Sequence, residues 1–305
     1  MKSKQDYLKM LFGEPRAREQ NVVLDRIQTT APILNKNINF NLLVEYLINN
    51  KIPPIFSDEK RNGKYVGNAV ALEKAYKKMN EKDIIATMPY LIAGKAEADK
   101  NNYLWQNWFS CLSEENVGID TKGNFVKKGN SVVITVHGKG LLTTNPDRIF
   151  RAYTAGLTPQ NSARYSQNEF EELLNGEIRG NKIQIYTIDD VLKGNIKNPF
   201  ERYAVVLDFE KTKITNSGQH EKNDFMNNPL VLARAGTIEY LEDYFDKAKD
   251  LNGTVGNYHR LSEIDPKEYQ GRLLYLSSTN DGLVGNSVLD NYGRFVRVGV
   301  GDARR

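Results

Sequence analysis

The sequence GRLLYLSSTNDGLVGNSVLDNYGRFVR, residues 271–297, combines two kinds of position. One kind is a frame of glycine, arginine and apolar residues: Gly271-Arg272-Leu273-Leu274, Gly282-Leu283, Gly285, Leu289 and Gly293-Arg294-Phe295. The other kind, which we call the polar positions, uses only Tyr, Ser, Thr, Asn and Asp, at Tyr275, Ser277, Ser278, Thr279, Asn280, Asp281, Asn286, Ser287, Asp290, Asn291 and Tyr292. An ordinary run of turns is the alternative explanation for this composition, because turns favour Asn, Asp, Ser and Gly for backbone reasons.

The residue types at the polar positions share a property of the genetic code. All of them have codons that end in cytosine, the set produced when the adenines of an AAC codon are replaced at random. Lys, Glu, Gln, Met and Trp have no such codon, and none of them occurs from residue 271 to the end, although the rest of the chain is rich in Lys and Glu. The composition of the tail therefore favours random replacement of adenines over ordinary turns.

The tail resembles the variable region of a target protein of a diversity-generating retroelement, in which a reverse transcriptase copies a template repeat with errors at adenines and overwrites the 3′ end of the target gene. Its Gly-Arg-Leu-Leu opening and Gly-Arg-Phe closing are similar to the archaeal branch of that family. The resemblance implies a C-type lectin-like fold that accommodates massive sequence variation on an exposed binding face. The chain lacks the Gly-Gly-Ser-Trp core motif of bacterial members and the Glu-Pro-Asn and Trp-Asn-Asp sets of sugar-binding lectins. Neither calcium nor sugar is therefore implied.

The composition of the polar positions suits a diversified binding face. Tyrosine gives a large contact area at low rotamer entropy, and the small polar residues give adaptable hydrogen bonds, as in antibody paratopes. Such a face needs a backbone fixed by other residues, so we expect Leu273, Leu274, Leu289 and Phe295 to pack inward. The sequence predicts a hypervariable ligand-binding protein that is not an enzyme, with the polar positions as its site and a macromolecule, a protein before other classes, as its ligand.

The stretch VVITVHGKG, residues 132–140, supplies the alternative function. A His-Gly pair after a strand contributes to the oxyanion hole of some hydrolases and holds NAD in some ADP-ribosyl transferases. A hydrolase also needs Gly-x-Ser-x-Gly, which is absent, and Tyr153, Tyr165 and Glu169 match no defined transferase spacing. A hydrolase or ADP-ribosyl transferase centred on His137 would require that residue to lie in a deep cleft beside a second polar group.

Composition excludes other classes. With 305 residues, 40% of them hydrophobic, the chain has ample length for a core. No apolar run approaches the roughly 18 to 20 residues of a membrane helix, and the start MKSKQDYLKM lacks an apolar segment. One cysteine, Cys111, and three histidines exclude an intramolecular disulfide and a cysteine-based zinc site. The net charge of +4 is spread along the chain, which does not favour a nucleic-acid partner. We expect no cofactor, no metal and a cytoplasmic location, with surface or virion display as the alternative.

The spacing of apolar residues along the sequence changes near residue 115. Before it, helical apolar spacing predicts a helical N-terminal region over residues 1–115, with helical faces at 7–11, 22–27, 41–49, 69–79 and 96–110. The last of these contains Tyr103, Trp105, Trp108 and Phe109, which are expected to be buried core rather than a stacking platform.

From residue 116, short β-rich runs separated by turn residues predict a different class of structure. The expected strands are 132–136, 182–188, 203–209, 272–276 and 294–300. Helices are expected to start at Pro146 behind an Asn145 cap, at the capping box of Ser166 and Glu169, and at Thr237. This mixture predicts an α+β, C-type lectin-like domain over 116–305, with a variable region of about 271–297.

Overall fold

The structure is a computed structural model that describes residues 40–80, 83–196, 202–278, 282–285 and 289–299. The helical faces expected at 7–11 and 22–27 lie outside these residues, as do the polar positions Thr279, Asn280, Asp281, Asn286 and Ser287. The helices are α1 (Phe40–Ile48), α2 (Gly67–Lys77), α3 (Met88–Glu97), α4 (Tyr103–Gln106), α5 (Pro146–Ala155), α6 (Gln167–Leu174), α7 (Ile188–Leu192), α8 (Phe209–Lys213), α9 (Lys222–Asn227), α10 (Pro229–Ala235) and α11 (Leu241–Asn252).

The strands range from short bridges to one long central strand. They are β1 (Ile55–Ser57), β2 (Lys60–Arg61), β3 (Lys64–Tyr65), β4 (Asp83–Ile85), β5 (Phe109–Ile119), β6 (Ser131–His137), β7 (Ala163–Arg164), β8 (Glu177–Ile178), β9 (Asn181–Lys182), β10 (Gln184–Tyr186), β11 (Tyr203–Asp208), β12 (Gly218–His220), β13 (Val255–Tyr258), β14 (Gln270–Leu276), β15 (Leu283–Val284), β16 (Gly293–Phe295) and β17 (Arg297–Gly299).

A large mixed sheet contains β14 and β15 of the tail among its middle strands. Its strand order is β10-β11-β6-β5-β14-β15-β13-β12, and β7 also pairs with β14. β14 runs antiparallel to β5, with Gln270 opposite Val117 and Leu276 opposite Phe109. Two further antiparallel pairs, β1 with β16 and β4 with β17, fix the end of the tail to strands from early in the chain. The tail is therefore held by strands on several sides.

The large sheet is covered on both faces. Leu274 and Leu276 of β14 belong to an apolar cluster with residues of α3, α10 and α11. Leu273 and Tyr275 belong to a second cluster with residues of α2, α5 and α6. Because successive side chains of a strand point to opposite faces, β14 is buried along its whole length.

Most predicted elements are confirmed. The helices expected at 41–49 and 69–79 are α1 and α2, and the strands expected at 132–136, 203–209 and 272–276 are β6, β11 and β14. Asn145 caps α5 by accepting the N–H of Asp147, and Ser166 with Glu169 forms the expected capping box of α6. The runs at 182–188 and 294–300 are each divided between two short strands. Helices combined with a largely antiparallel sheet form the predicted α+β class.

Two predicted helices differ from the structure. Residues 96–110 are not one helix, because α3 ends at Glu97, α4 spans only 4 residues and β5 begins at Phe109. The side chain of Asn102 accepts the N–H of Leu104 and so starts a new turn. The helix expected from Thr237 begins at Leu241. Aromatic residues at short intervals fit a helical face and a buried strand equally well, so spacing alone could not separate them.

The division expected between 1–115 and 116–305 does not coincide with a break in the structure. Residues 115 and 116 are neighbours within β5, which pairs with both β6 and β14. The earlier region also contains strands β1 to β4, of which β1 and β4 pair with the tail. Strands of 2 or 3 residues carry too little alternation to be detected from sequence.

Candidate ligand-binding site

The frame of the tail is fixed by close backbone packing. A Cβ atom built on Gly293 would lie 2.5 Å from the carbonyl oxygen of Gly67 at the start of α2. Gly282 has a φ of +60°, and a Cβ there would lie 2.2 Å from the carbonyl oxygen of Gly256. Only glycine fits such positions without strain. Leu273, Leu274, Leu289 and Phe295 are all fully buried, as expected.

The opening Gly-Arg-Leu-Leu motif contributes a buried ion triad. One carboxylate oxygen of Glu115 accepts from Arg272 at 2.6 and 3.1 Å, and the other accepts from Arg234 at 2.9 and 3.0 Å. Burial opposes ionisation of Glu115, but the two guanidinium groups outweigh it and hold its pKa below the ordinary value. Arg234 also donates to Asn257 Oδ1 and to the carbonyl oxygen of Tyr258. Arg272 is therefore a structural residue of the frame.

The expected exposure of Tyr275 is wrong. Only 5% of this residue is exposed, and its hydroxyl accepts a 2.5 Å hydrogen bond from Asn68 Nδ2. Asn68 Oδ1 in turn accepts from the hydroxyl of Ser110 at 3.0 Å. Burial raises the pKa of Tyr275. The physical reason is the burial of β14 on both faces, which leaves no solvent side for its alternate residues. Asn68 Nδ2 also donates to the carbonyl oxygen of Asn291 at 3.5 Å, so Tyr275 and the backbone at Asn291 share one partner.

The segment from Leu289 to Tyr292 forms a turn with an anchored start and an exposed end. The Leu289 side chain is fully buried, and its carbonyl oxygen accepts from the hydroxyl of Tyr153. Asp290 is half-buried, and its Oδ1 accepts the backbone N–H of Tyr65 at 2.6 Å. Asn291 is half-buried and Tyr292 is 37% exposed. The exposed end of this turn lies against the hairpin of β2 and β3.

Tyr292 belongs to a surface cluster that we call the aromatic patch, made of Phe56, Tyr65, Trp108 and Tyr292. The ring centroid of Tyr292 is 4.6 Å from that of Tyr65 and 6.3 Å from that of Phe56. Phe56 is 44% exposed. Trp108, expected in the core, is only half-buried and joins the patch through Arg294. Adjacent exposed aromatic side chains are typical of interaction sites.

Two cations stack on the aromatic patch. The Arg294 guanidinium carbon is 5.1 Å from the ring centroid of Phe56 and 5.0 Å from that of Trp108. Lys60 Nζ lies 4.1 Å from the ring centroid of Tyr65. The hydroxyls of Tyr65 and Tyr292 are 3.1 Å apart. A hydrogen bond with Lys60 lowers the pKa of Tyr65, and the hydrogen bond with Tyr65 raises the pKa of Tyr292.

Ser277 and Ser278 directly follow β14. Both are half-buried, and the N–H of Ser277 donates to the carbonyl oxygen of Gly282 at 2.9 Å. The carbonyl oxygen of Ser277 accepts from Lys95 Nζ at 2.5 Å. Burial lowers the pKa of Lys95 to about 7. Because Leu276 lies opposite Phe109 in the sheet, this segment starts at the end of β5 that Trp108 precedes.

The sequence identified the polar positions but not their partners in the patch. Tyr65 and Tyr292 are 227 residues apart in the chain, and no local pattern marks Phe56 or Lys60. The exposure of Phe56 and the hairpin of Lys60 to Tyr65 are visible only in the structure. The segment becomes informative only when the fold brings it to the tail.

His137 and Cys111, two groups that an enzyme could use, are buried. His137 is fully buried, with Nδ1 at 2.9 Å from the hydroxyl of Ser113 and Nε2 at 2.9 Å from the carbonyl oxygen of Ala233. Since a carbonyl only accepts, Nε2 carries the proton, and burial lowers the pKa of His137 to about 4. The cleft that the enzyme alternative required is not present at His137. Cys111 is also buried, and burial raises the pKa of its thiol.

Within the described ranges, no group of His, Cys, Asp and Glu side chains is arranged to hold a metal ion. Across the same part of the chain, none of the helices has the length and apolar character needed to cross a membrane.

Comparison with known proteins agrees with the fold and the tail. No protein-family model and no curated protein matches the chain. A solved structure that describes the accommodation of massive sequence variation in Nanoarchaeota by the C-type lectin fold matches it with a TM-score of 0.60 and 25% identity, over 81% of this chain and 97% of that chain. The prediction is confirmed: the chain has the C-type lectin fold, and it resembles the archaeal branch of the variable proteins of diversity-generating retroelements.

Proposed function

We propose that this protein binds a macromolecular ligand, a protein, through a surface that combines the polar positions of the tail with the aromatic patch. The observation that carries the proposal is the contact of Tyr292, an exposed polar position, with Tyr65 and Phe56. Tyrosine beside other aromatic side chains supplies the rigid, amphipathic contact area that dominates many protein interfaces.

The proposed site has an upper layer and a supporting layer. Ser277, Ser278, Asp290, Asn291 and Tyr292 form the upper layer within the described residues, and Thr279, Asn280, Asp281, Asn286 and Ser287 are assigned to it from sequence. Tyr275 forms the supporting layer, because its hydrogen bond to Asn68 lies beneath the turn that carries Tyr292. Changes in the upper layer alter the ligand, whereas changes in the supporting layer alter the shape of the turn.

The separation of frame and face supports diversification of the tail. The frame glycines, Arg272 and the buried apolar residues fill positions that few other residues could occupy. The polar positions other than Tyr275 that the structure describes are at least partly open to solvent, although Asp290 also accepts the backbone N–H of Tyr65. A process that rewrites adenines at these positions would therefore change the surface while the fold persists.

The diversification itself has a test in the DNA. We expect a near-copy of the coding sequence for residues 271–297 close downstream of the gene, with AAC codons at the polar positions, beside a gene for a reverse transcriptase. A complete genome that lacks this repeat would contradict diversification by a retroelement.

The absence of a catalytic role is supported by the state of His137. A neutral imidazole that is fully buried and bonded at both nitrogens has no free atom to offer a substrate. NAD or ester turnover that is lost in His137→Gln but kept in tail variants would overturn the binding proposal.

The experiment that tests the binding function is selection from two matched libraries. The first randomises Ser277, Ser278, Asp290, Asn291 and Tyr292 within the full chain. The control randomises the same number of exposed positions on α11: Glu242, Asp243, Asp246, Lys249 and Asp250. Both are displayed and selected against two unrelated soluble proteins.

The tail library is expected to yield binders specific for each target, with thermal midpoints close to that of the parent. The α11 library is expected to yield none. Equal yields from the two libraries, or a tail library that is largely unfolded, would refute the proposed site.

A further inference from the structure

We propose that Arg294 is a fixed carboxylate-binding residue of the ligand surface, so that ligands captured by different tails share an exposed carboxylate. The inference rests on the proposed function and gives that site a ligand chemistry. The carboxylate can belong to an aspartate or glutamate side chain or to the C-terminus of a protein chain, and the experiment below separates these sources.

The guanidinium group of Arg294 is held in one orientation. The ring of Phe56 lies on it at 5.1 Å and the ring of Trp108 at 5.0 Å, measured from the guanidinium carbon to the ring centroids. Its Nη1 donates to Asn107 Oδ1 at 2.7 Å. When a guanidinium group stacks on aromatic rings, its N–H donors point along its own plane, away from the rings, and remain available for hydrogen bonds. These contacts fix the plane and leave further donors for a ligand.

Arg294 has no carboxylate partner within the described part of the chain. Two other partly buried arginines do have one: Arg148 pairs with Glu169, and Arg297 pairs with Asp83 at 3.0 Å. Partial burial without an opposing negative charge lowers the pKa of Arg294. A guanidinium group that has lost part of its hydration is stabilised by a carboxylate, which accepts two parallel hydrogen bonds from its planar edge.

The position of Arg294 in the tail places its charge beside the proposed ligand surface. Arg272, the other arginine of the frame motifs, is buried against Glu115 and has a structural role. Arg294 instead lies on the aromatic patch, and Phe56 contacts both Arg294 and the exposed Tyr292. Every version of the tail would present the same guanidinium beside a changing set of side chains. Recognition then has a constant part, the carboxylate, and a variable part.

The test uses three short peptides as probes of the full-length protein. One is acetyl-Tyr-Glu-Tyr-amide, which carries a side-chain carboxylate. The second is acetyl-Tyr-Gln-Tyr-amide, its neutral match, and the third is acetyl-Tyr-Gln-Tyr with a free C-terminus. Binding is followed by tryptophan fluorescence, because Trp108 contacts Arg294. A Trp108→Phe variant supplies the signal of Trp105, the other tryptophan of the chain.

At least one carboxylate peptide is expected to bind about tenfold more tightly than the neutral peptide, as for a charge-assisted hydrogen bond. Arg294→Gln should abolish that preference, and Arg294→Lys should retain part of it, because lysine keeps the charge but not the planar fork. Arg260→Gln removes an exposed charge outside the patch and should leave the preference unchanged.

Equal binding of charged and neutral peptides up to millimolar concentration would overturn the proposal, as would an unchanged preference in Arg294→Gln. Circular dichroism shows whether each variant is folded, and Arg294→Lys carries the test if Arg294→Gln is not. A negative result with the peptides would overturn the role of Arg294 but would not change the result of the library selection. Failure of the library would remove the proposed function even if Arg294 binds carboxylates.

Discussion

Replacing Phe295 by alanine tests the separation between frame and face. Its ring is fully buried in the apolar cluster that includes α2, and it lies opposite Ile55 of β1. A buried aromatic side chain removes about 150 to 250 Å² from water, which corresponds to about 4 to 6 kcal/mol at about 25 cal/mol per Å². Measured truncations of buried phenylalanine cost about 3 to 5 kcal/mol, so we expect a loss in that range.

Tyr292→Ala is the matched control, three residues earlier in the chain. This side chain is 37% exposed and contacts Tyr65 and Phe56 at the surface. Because water already reaches it, its removal should lower the free energy of unfolding by about 1 kcal/mol or less. Both variants are compared with the parent by urea unfolding, followed by circular dichroism and by fluorescence. Equal losses in the two variants, or a loss below about 1 kcal/mol for Phe295→Ala, would show that the tail is not divided into a buried frame and a tolerant face.

Three further predictions concern the buried charged and titratable groups. Arg272→Met leaves Glu115 with one cationic partner and should cost about 3 to 5 kcal/mol in urea unfolding; a cost below about 1 kcal/mol would show that the triad is not structural. The pKa of Lys95 is about 7 in the folded protein, below its unfolded value, so its destabilising effect is full below pH 7 and fades as pH rises toward 10.5. Lys95→Met should therefore raise stability more at pH 6 than at pH 9, and a pH-independent difference would contradict the burial of a charged amine. The pKa of His137 is about 4 in the folded protein, so burial of the neutral ring costs no stability above pH 6.5, and stability is lost as pH falls toward 4. His137→Gln should therefore make the thermal midpoint less sensitive to acid, and an unchanged dependence of the midpoint on pH would contradict this.

The frame could be predicted from the sequence because its signals are local. Glycines at turns and leucines between polar residues predicted that Leu273, Leu289 and Phe295 point inward, and they do. The caps at Asn145 and Ser166 were equally readable, because a cap is a contact between residues a few positions apart.

The exposure of Tyr275 and the aromatic patch could not be predicted, because both depend on contacts between distant segments. Tyr275 is buried by helices that cover the second face of the sheet. The patch forms when the segment from Phe56 to Tyr65 packs beside Tyr292, more than two hundred residues later in the chain. A single sequence does not show which distant segments of the chain pack together.

Exchanging residues 290–292 between two proteins selected from the tail library against different targets tests whether this turn determines the ligand. The affinity of each exchanged protein for both targets is measured by titration calorimetry. Since a few central aromatic side chains dominate most interfaces, we expect the preference of each protein to shift toward the other target by about tenfold or more. If both proteins keep their original preference unchanged, the surface beside the aromatic patch does not determine the ligand, which contradicts the proposed function.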